Sequence, residues 1–172
     1  PATVADFIHD PSGKVNTNWK KEIYRTAFTQ DHQVSINGGS SKTQFYAGVG
    51  YNKSEGIVLG SDFERISGRL NVNHKVNNWL NVALKQMIAA TSQDGFRDQG
   101  VGTSSPIGIL FAMDPTAPVK NEDGSYNKNA AWGKVTNPHL MLGGKDSDTA
   151  LEWIQTKMFR SMTNADVTIK FC

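Results

Sequence analysis

Residues 63–90 read FERISGRLNVNHKV, NN, WLNVALKQMIAA, and the alternation in this stretch decides the fold. In the first arm Ile66, Gly68, Leu70, Val72, His74 and Val76 share one parity, while Arg65, Ser67, Arg69, Asn71, Asn73 and Lys75 share the other. In the second arm Leu80, Val82, Leu84, Ile88 and Ala90 fall on one face, and Asn81, Lys85 and Met87 on the other, with Ala83 and Ala89. Period-2 alternation over about a dozen residues exceeds the usual strand of roughly 5–6. Asn77-Asn78 joins the arms and predicts a two-residue turn of the type that tolerates positive φ. The stretch is therefore an antiparallel hairpin with one apolar and one charged, Asn-rich face.

Two architectures use such a hairpin. In a soluble sandwich, for instance a carbohydrate-binding module, the polar face meets water. In a transmembrane barrel the apolar face meets lipid and the polar face lines a lumen. Strand length favours the barrel, because a spanning strand needs about 9–11 residues. Composition agrees: of 172 residues only 38% are hydrophobic and 20% are charged, as expected where half of every strand is polar. No run of about 18 apolar residues is present, so no spanning helix is expected. A net charge of +2 without a Lys/Arg cluster argues against nucleic acid as a partner. The lone cysteine, Cys172, has no intrachain disulfide partner.

Outward from the hairpin, residues 1–30 read as a linker and a short helix, capped by Asn16, Thr17 or Asn18, with Trp19 and Ile23 on one face. Strands are expected at about 31–38, 42–51, 63–76, 79–91 and 158–172, with 31–172 forming a partial β-barrel. Gly38–Ser41 is a turn and Asn52–Asp62 a loop. From about 92 to 157 strand alternation is lost. SSPIGILFAM is read there as a short helix capped by Ser104 or Ser105, with Pro106 at its first position. Connections thus run short, medium, short, very long, the pattern of an outer-membrane barrel with short periplasmic turns and long extracellular loops. Tyr51, Phe63, Trp79 and Phe171 lie near strand ends, where aromatic girdles belong, although edge packing also places aromatics there.

Catalytic chemistry finds no support. The segment at Gly13 lacks the phosphate-loop pattern, and GVGTSSPIG follows no βαβ unit. His9, His32, His74 and His139 are scattered without zinc spacing, and His74 reads as a strand-end residue. Asp146 and Asp148 with Asn137 form either a loop Ca²⁺ site or a solvated acidic turn. No enzyme, catalytic residue, metal or cofactor is expected.

Several motifs in order carry a family resemblance. They are W-x-x-E-I-x-R-T-A-x-x-Q-x-H-x-V-S-x-x-G-G from Trp19 to Gly39, then YNKSEGIV, SDFERISGRLN, VNNWLNV, FAMDPTAPVKNEDGSYN and VTNPHLML. Together they resemble the barrel of the SusC/RagA family of TonB-dependent outer-membrane transporters over nearly the whole chain. The resemblance implies an up-and-down barrel in the outer membrane of a Gram-negative cell, a SusD-like surface lipoprotein as lid, the TonB complex as energy source, and oligosaccharides or peptides as cargo. Members have 22 strands, a plug and a coupling box. Five strands do not close so wide a barrel, so the chain is expected to be one piece of a larger polypeptide. On this reading Arg65, Arg69, Lys85 and Lys170 face the lumen, where they meet plug carboxylates, water or an anionic ligand. Phe96, Phe111, Tyr126 and Trp132 lie in the long extracellular loop, where they contact ligand or lid or pack within the loop.

Overall fold

A computed structural model describes residues 12–96, 105–128, 137–142 and 153–171. Its strands are β1 (Thr29–Gly39), β2 (Thr43–Glu55), β3 (Asp62–Lys75), β4 (Leu80–Phe96) and β5 (Trp153–Ile169). They form one antiparallel sheet in the order β1-β2-β3-β4-β5, an up-and-down meander. The register keeps like residues together: Val34 faces Val49 and Ile36 faces Ala47 across β1–β2, while Ala47 faces Leu70 and Tyr51 faces Ile66 across β2–β3. A slip of one residue would throw every apolar side chain to the wrong face.

The strands outrun their sequence bounds. β4 continues through Ser92–Phe96 and β5 begins at Trp153, so the connection expected at 92–157 is shorter at both ends. The polar residues there do not alternate with apolar ones and read as loop, yet they pair through polar groups: Gln155 Nε2 donates to Asp94 Oδ1 at 2.8 Å. The β3–β4 turn also differs. Four residues, 76–79, separate Lys75 from Leu80, and no described non-glycine residue has positive φ. Asn77 closes the turn with its side chain, its Oδ1 accepting from Trp79 N at 3.0 Å and Leu80 N at 2.8 Å. An Asx bridge replaces the backbone twist that a two-residue turn would need.

The chain divides into two compact units, this sheet (28–55, 62–93, 156–172) and a second unit of 1–27, 56–61 and 94–155. The second unit is built from short pieces: α1 (Trp19–Ile23), a 3₁₀ helix (Gly108–Ala112) and α2 (Pro138–Leu142). Asn18 caps α1, its Oδ1 accepting from Lys21 N at 3.2 Å. Where a short helix with Pro106 at its first position was expected, the chain makes a turn and then a short 3₁₀ helix from Gly108. Ser105 Oγ accepts from Ile107 N and Gly108 N, and this tight local bonding favours the narrower winding.

Candidate functional site

Two surfaces carry the residues singled out in the sequence. The first is the second unit, where a loop was expected and two apolar clusters are found. Trp19, Ile109, Met113, Ala117 and Met141 form one; Ile23, Val58 and Leu142 form the other, with Phe96 and Ile107 packed against it. Short helices are unstable alone, and here each contributes one or two side chains to a shared core. Trp19 is 5% exposed, and its indole Nε1 donates to Asp114 O at 2.8 Å. The chain on either side of Tyr24 pairs with residues 57–59: Leu59 N donates to Ile23 O and Arg25 N to Ile57 O, both at 2.9 Å. Gly60 has a φ of +76°, and a Cβ there would lie 2.9 Å from Leu142 O, so both backbone and space demand glycine.

Asn137 is fully buried and holds three strands of loop together. Its Nδ2 donates to Val119 O at 3.0 Å and Asn127 O at 3.1 Å, and its Oδ1 accepts from His139 N at 3.0 Å. That oxygen thus already accepts one bond within the fold; Asp146 and Asp148 lie outside the described residues. His139 Nε2 lies 3.3 Å from Glu22 Oε2, and its ring stacks on Tyr126 with centroids 4.9 Å apart. The Lys120 ammonium sits 5.3 Å over the same Tyr126 ring. In the adjoining turn Ser125 donates its hydroxyl and its N–H to Asp123 Oδ1, which lowers the Asp123 carboxyl below its usual range.

The four aromatics therefore have different surroundings. Phe96 packs into an apolar cluster and Tyr126 is engaged by His139 and Lys120. Phe111, by contrast, is 93% exposed on a 3₁₀ helix whose Ile109 is fully buried. Trp132 lies outside the described residues.

The second surface is the sheet. Its apolar parity is uncovered: Val34 is 70% exposed, Val49 64% and Val167 65%, with Ile36, Ile66 and Phe159 also open. A sandwich would bury such a face against a second sheet, and the described residues form one sheet only. Gln86, Ser161 and Thr163 are polar on this parity and satisfy one another. Gln86 Nε2 donates to Ser161 Oγ at 3.0 Å, and Thr163 Oγ1 donates to Gln86 Oε1.

The opposite parity carries Arg65, Arg69 and Lys85. Arg69 Nη2 lies 3.8 Å from Met87 Sδ, and Lys85 Nζ pairs with Asp166 Oδ2 at 3.5 Å. Lys170 lies just past β5, its backbone N donating to Trp79 O. The register also moves one aromatic. Phe63 pairs with Ser54 two residues from the Asn52–Arg65 pair, so it belongs to the charged face and not to an apolar girdle. Trp79 and Phe171 flank the Lys170–Trp79 bond at one end of the sheet, both exposed.

Comparison with known proteins gives one consistent answer. No family model matches the chain. It is 34% identical over 126 residues to TonB-dependent receptor SusC of Bacteroides thetaiotaomicron, a match covering 73% of this chain and 12% of the relative. It is 28% identical over 133 residues to TonB-dependent receptor P3 of Formosa agariphila, covering 75% of this chain and 13% of that one. The chain thus spans about an eighth of the curated relatives it matches. A structure of the RagAB peptide importer in the closed-closed state superposes with a TM-score of 0.64 over 98% of this chain and 20% of its own, at 23% identity. A second, of the RagAB peptide transporter, gives 0.64 over 91% and 17% at 24% identity. These relatives are named as receptors and importers, not enzymes. With its ordered motifs, its five-stranded meander and this likeness, the chain belongs to the SusC/RagA-like TonB-dependent receptors.

Proposed function

We propose that the chain supplies a wall segment and one extracellular loop to an outer-membrane importer of oligosaccharides or peptides. The importer works with a SusD-like surface lipoprotein and draws energy from the TonB complex through parts of the polypeptide outside this stretch. The observation that carries this reading is the uncovered apolar face of a five-stranded sheet whose other face is charged and Asn-rich. In water that face would be an aggregation site; against acyl chains it is in its proper solvent. Closed strand pairing is also how a backbone crosses a bilayer without unsatisfied groups. On this reading Arg65, Arg69, Lys85 and Lys170 face the lumen. Phe111, an exposed aromatic on an anchored turn, is offered to cargo or lid.

The test uses the full-length receptor in outer membranes, in a Cys172→Ser background. Single cysteines at Val34, Val49 and Ile66 should resist a water-soluble maleimide and react with a lipophilic one. Cysteines at Ser35 and Asn71 should react with the water-soluble reagent. Aqueous labelling of both sets alike would reject the barrel-wall reading.

A further inference from the structure

The charged face holds a depression whose chemistry is one-sided. Gln33, Tyr46, Ser67, Arg65 and Arg69 line it, and Gly48 and Gly50 form its floor. The register explains the shape. Gly50 faces Ser67 and Gly48 faces Arg69 across β2–β3, so two missing side chains on β2 leave a hollow between two arginines on β3. Side chains close over the floor: a Cβ at Gly48 would lie 2.9 Å from the Tyr46 hydroxyl and 3.3 Å from its ring, which covers that glycine, and one at Gly50 would lie 3.1 Å from Ser67 Oγ. Around one concavity there are thus two guanidiniums, two hydroxyls and an amide, and no carboxylate.

One acid, Asp31, lines the adjoining hollow, which shares Gln33, Gly50, Arg65 and Ser67 with this one, so Arg69 is the guanidinium further from a carboxylate of the sheet. Among the described residues, Asp31 and Asp166 are the acids with this strand parity. Asp31 Oδ2 accepts from Asn52 Nδ2 at 2.9 Å, and Asp166 is paired with Lys85. Arginine is the side chain whose planar fork matches a carboxylate with two parallel hydrogen bonds. Hydroxyl donors beside it add charge-assisted bonds of the stronger kind.

We infer that the hollow over Gly48 and Gly50 is a carboxylate-binding site, with Arg65 and Arg69 as its charge partners and Tyr46 and Ser67 as hydroxyl donors. The inference rests on the lumen reading of this face. Its carboxylate comes either from acidic cargo or from an acidic side chain of the polypeptide that occupies the lumen.

The experiment compares purified full-length wild-type receptor with R65Q/R69Q and R65K/R69K. The probes are tetraglutamate and trigalacturonate, titrated by calorimetry, and each protein's Tm is measured without probe. If cargo supplies the carboxylate, one probe binds wild type, binds R65Q/R69Q at least tenfold more weakly, and binds R65K/R69K in between; which probe binds separates peptide from uronide. If the polypeptide supplies it, neither probe binds, and R65Q/R69Q melts below wild type while R65K/R69K keeps most of its Tm. Equal probe affinity in all three proteins, or no binding together with equal Tm, overturns the inference. Heat-modifiable migration and outer-membrane fractionation of wild type test the barrel reading separately. A receptor that passes both but ignores Arg65 and Arg69 loses the carboxylate site alone.

Discussion

The two units of this chain invert the usual relation between regularity and core. The sheet has strands of 11 to 17 residues, yet its apolar side chains lie open. The other unit has helices of five residues and long irregular connections, yet of the buried apolar side chains described only Ala89 lies outside it. The difference teaches that solvent, not secondary structure, decides where a core forms. The loop unit is built for water: it hides Trp19, Ile23, Ile109 and Leu142 and satisfies its polar groups internally. On the proposed reading the sheet is built for a different medium, in which an exposed valine costs nothing.

The largest expected effect breaks the loop unit alone. Trp19→Ala removes the largest side chain of one cluster and the indole donor to Asp114 O. Such truncations cost about 3–5 kcal/mol. In the full-length receptor, limited proteolysis should cut this unit readily in the variant, while heat-modifiable migration of the barrel stays as in wild type. Loss of barrel migration together with the loop would show that the two units do not form separate cores.

A second substitution probes the sheet. Val49 stands at the middle of β2 on the open apolar face. Val49→Arg should lower stability by about 2–4 kcal/mol if that residue sits near the bilayer midplane. Ser35→Arg, on the opposite parity, should stay within about 0.5 kcal/mol. Urea-dependent folding into liposomes reads both. Equal penalties would mean that the two faces share one solvent, and the contrast between the units would collapse.

The sheet was legible because its signal is local: parity over a dozen residues in β3 and β4 names both faces before any partner is known. The short helix at Trp19–Ile23 was legible for a similar reason, with Asn18 as cap and two apolar residues at i, i+4. What the sequence hid was non-local. The loop core joins Trp19 to Met113 and Met141, and Ile23 to Val58 and Leu142, and no periodicity marks such contacts. The pairing of 57–59 with 23–25 is equally invisible, since neither segment alternates. Among the site residues, parity alone separated Arg65 and Arg69 from the apolar side chains. It also places Phe63 with them, a consequence that proximity to a strand end concealed. The hollow over Gly48 and Gly50 needed register, because only the β2–β3 pairing brings those glycines opposite Ser67 and Arg69.

The smallest expected effect sharpens what holds the loop unit together. Asn137 reads in sequence as a candidate cation ligand, and in the structure its amide ties residues 119, 127 and 139. Asn137→Ala would strand the Asn127 carbonyl and the His139 N–H, while Val119 O keeps its bond from Asn127 N at 3.0 Å; the penalty is about 1–3 kcal/mol. Asn137→Asp separates the two roles. A carboxylate keeps the acceptor for His139 N but turns two donated bonds into repulsion against Val119 O and Asn127 O, whereas a cation site would gain from the added charge. Hydrogen exchange over residues 119–127 in the full-length receptor should therefore quicken in both variants, and added Ca²⁺ should restore neither. Protection regained by Asn137→Asp in Ca²⁺ would make this asparagine a ligand position, and the loop core would then depend on an ion as well as on its apolar clusters.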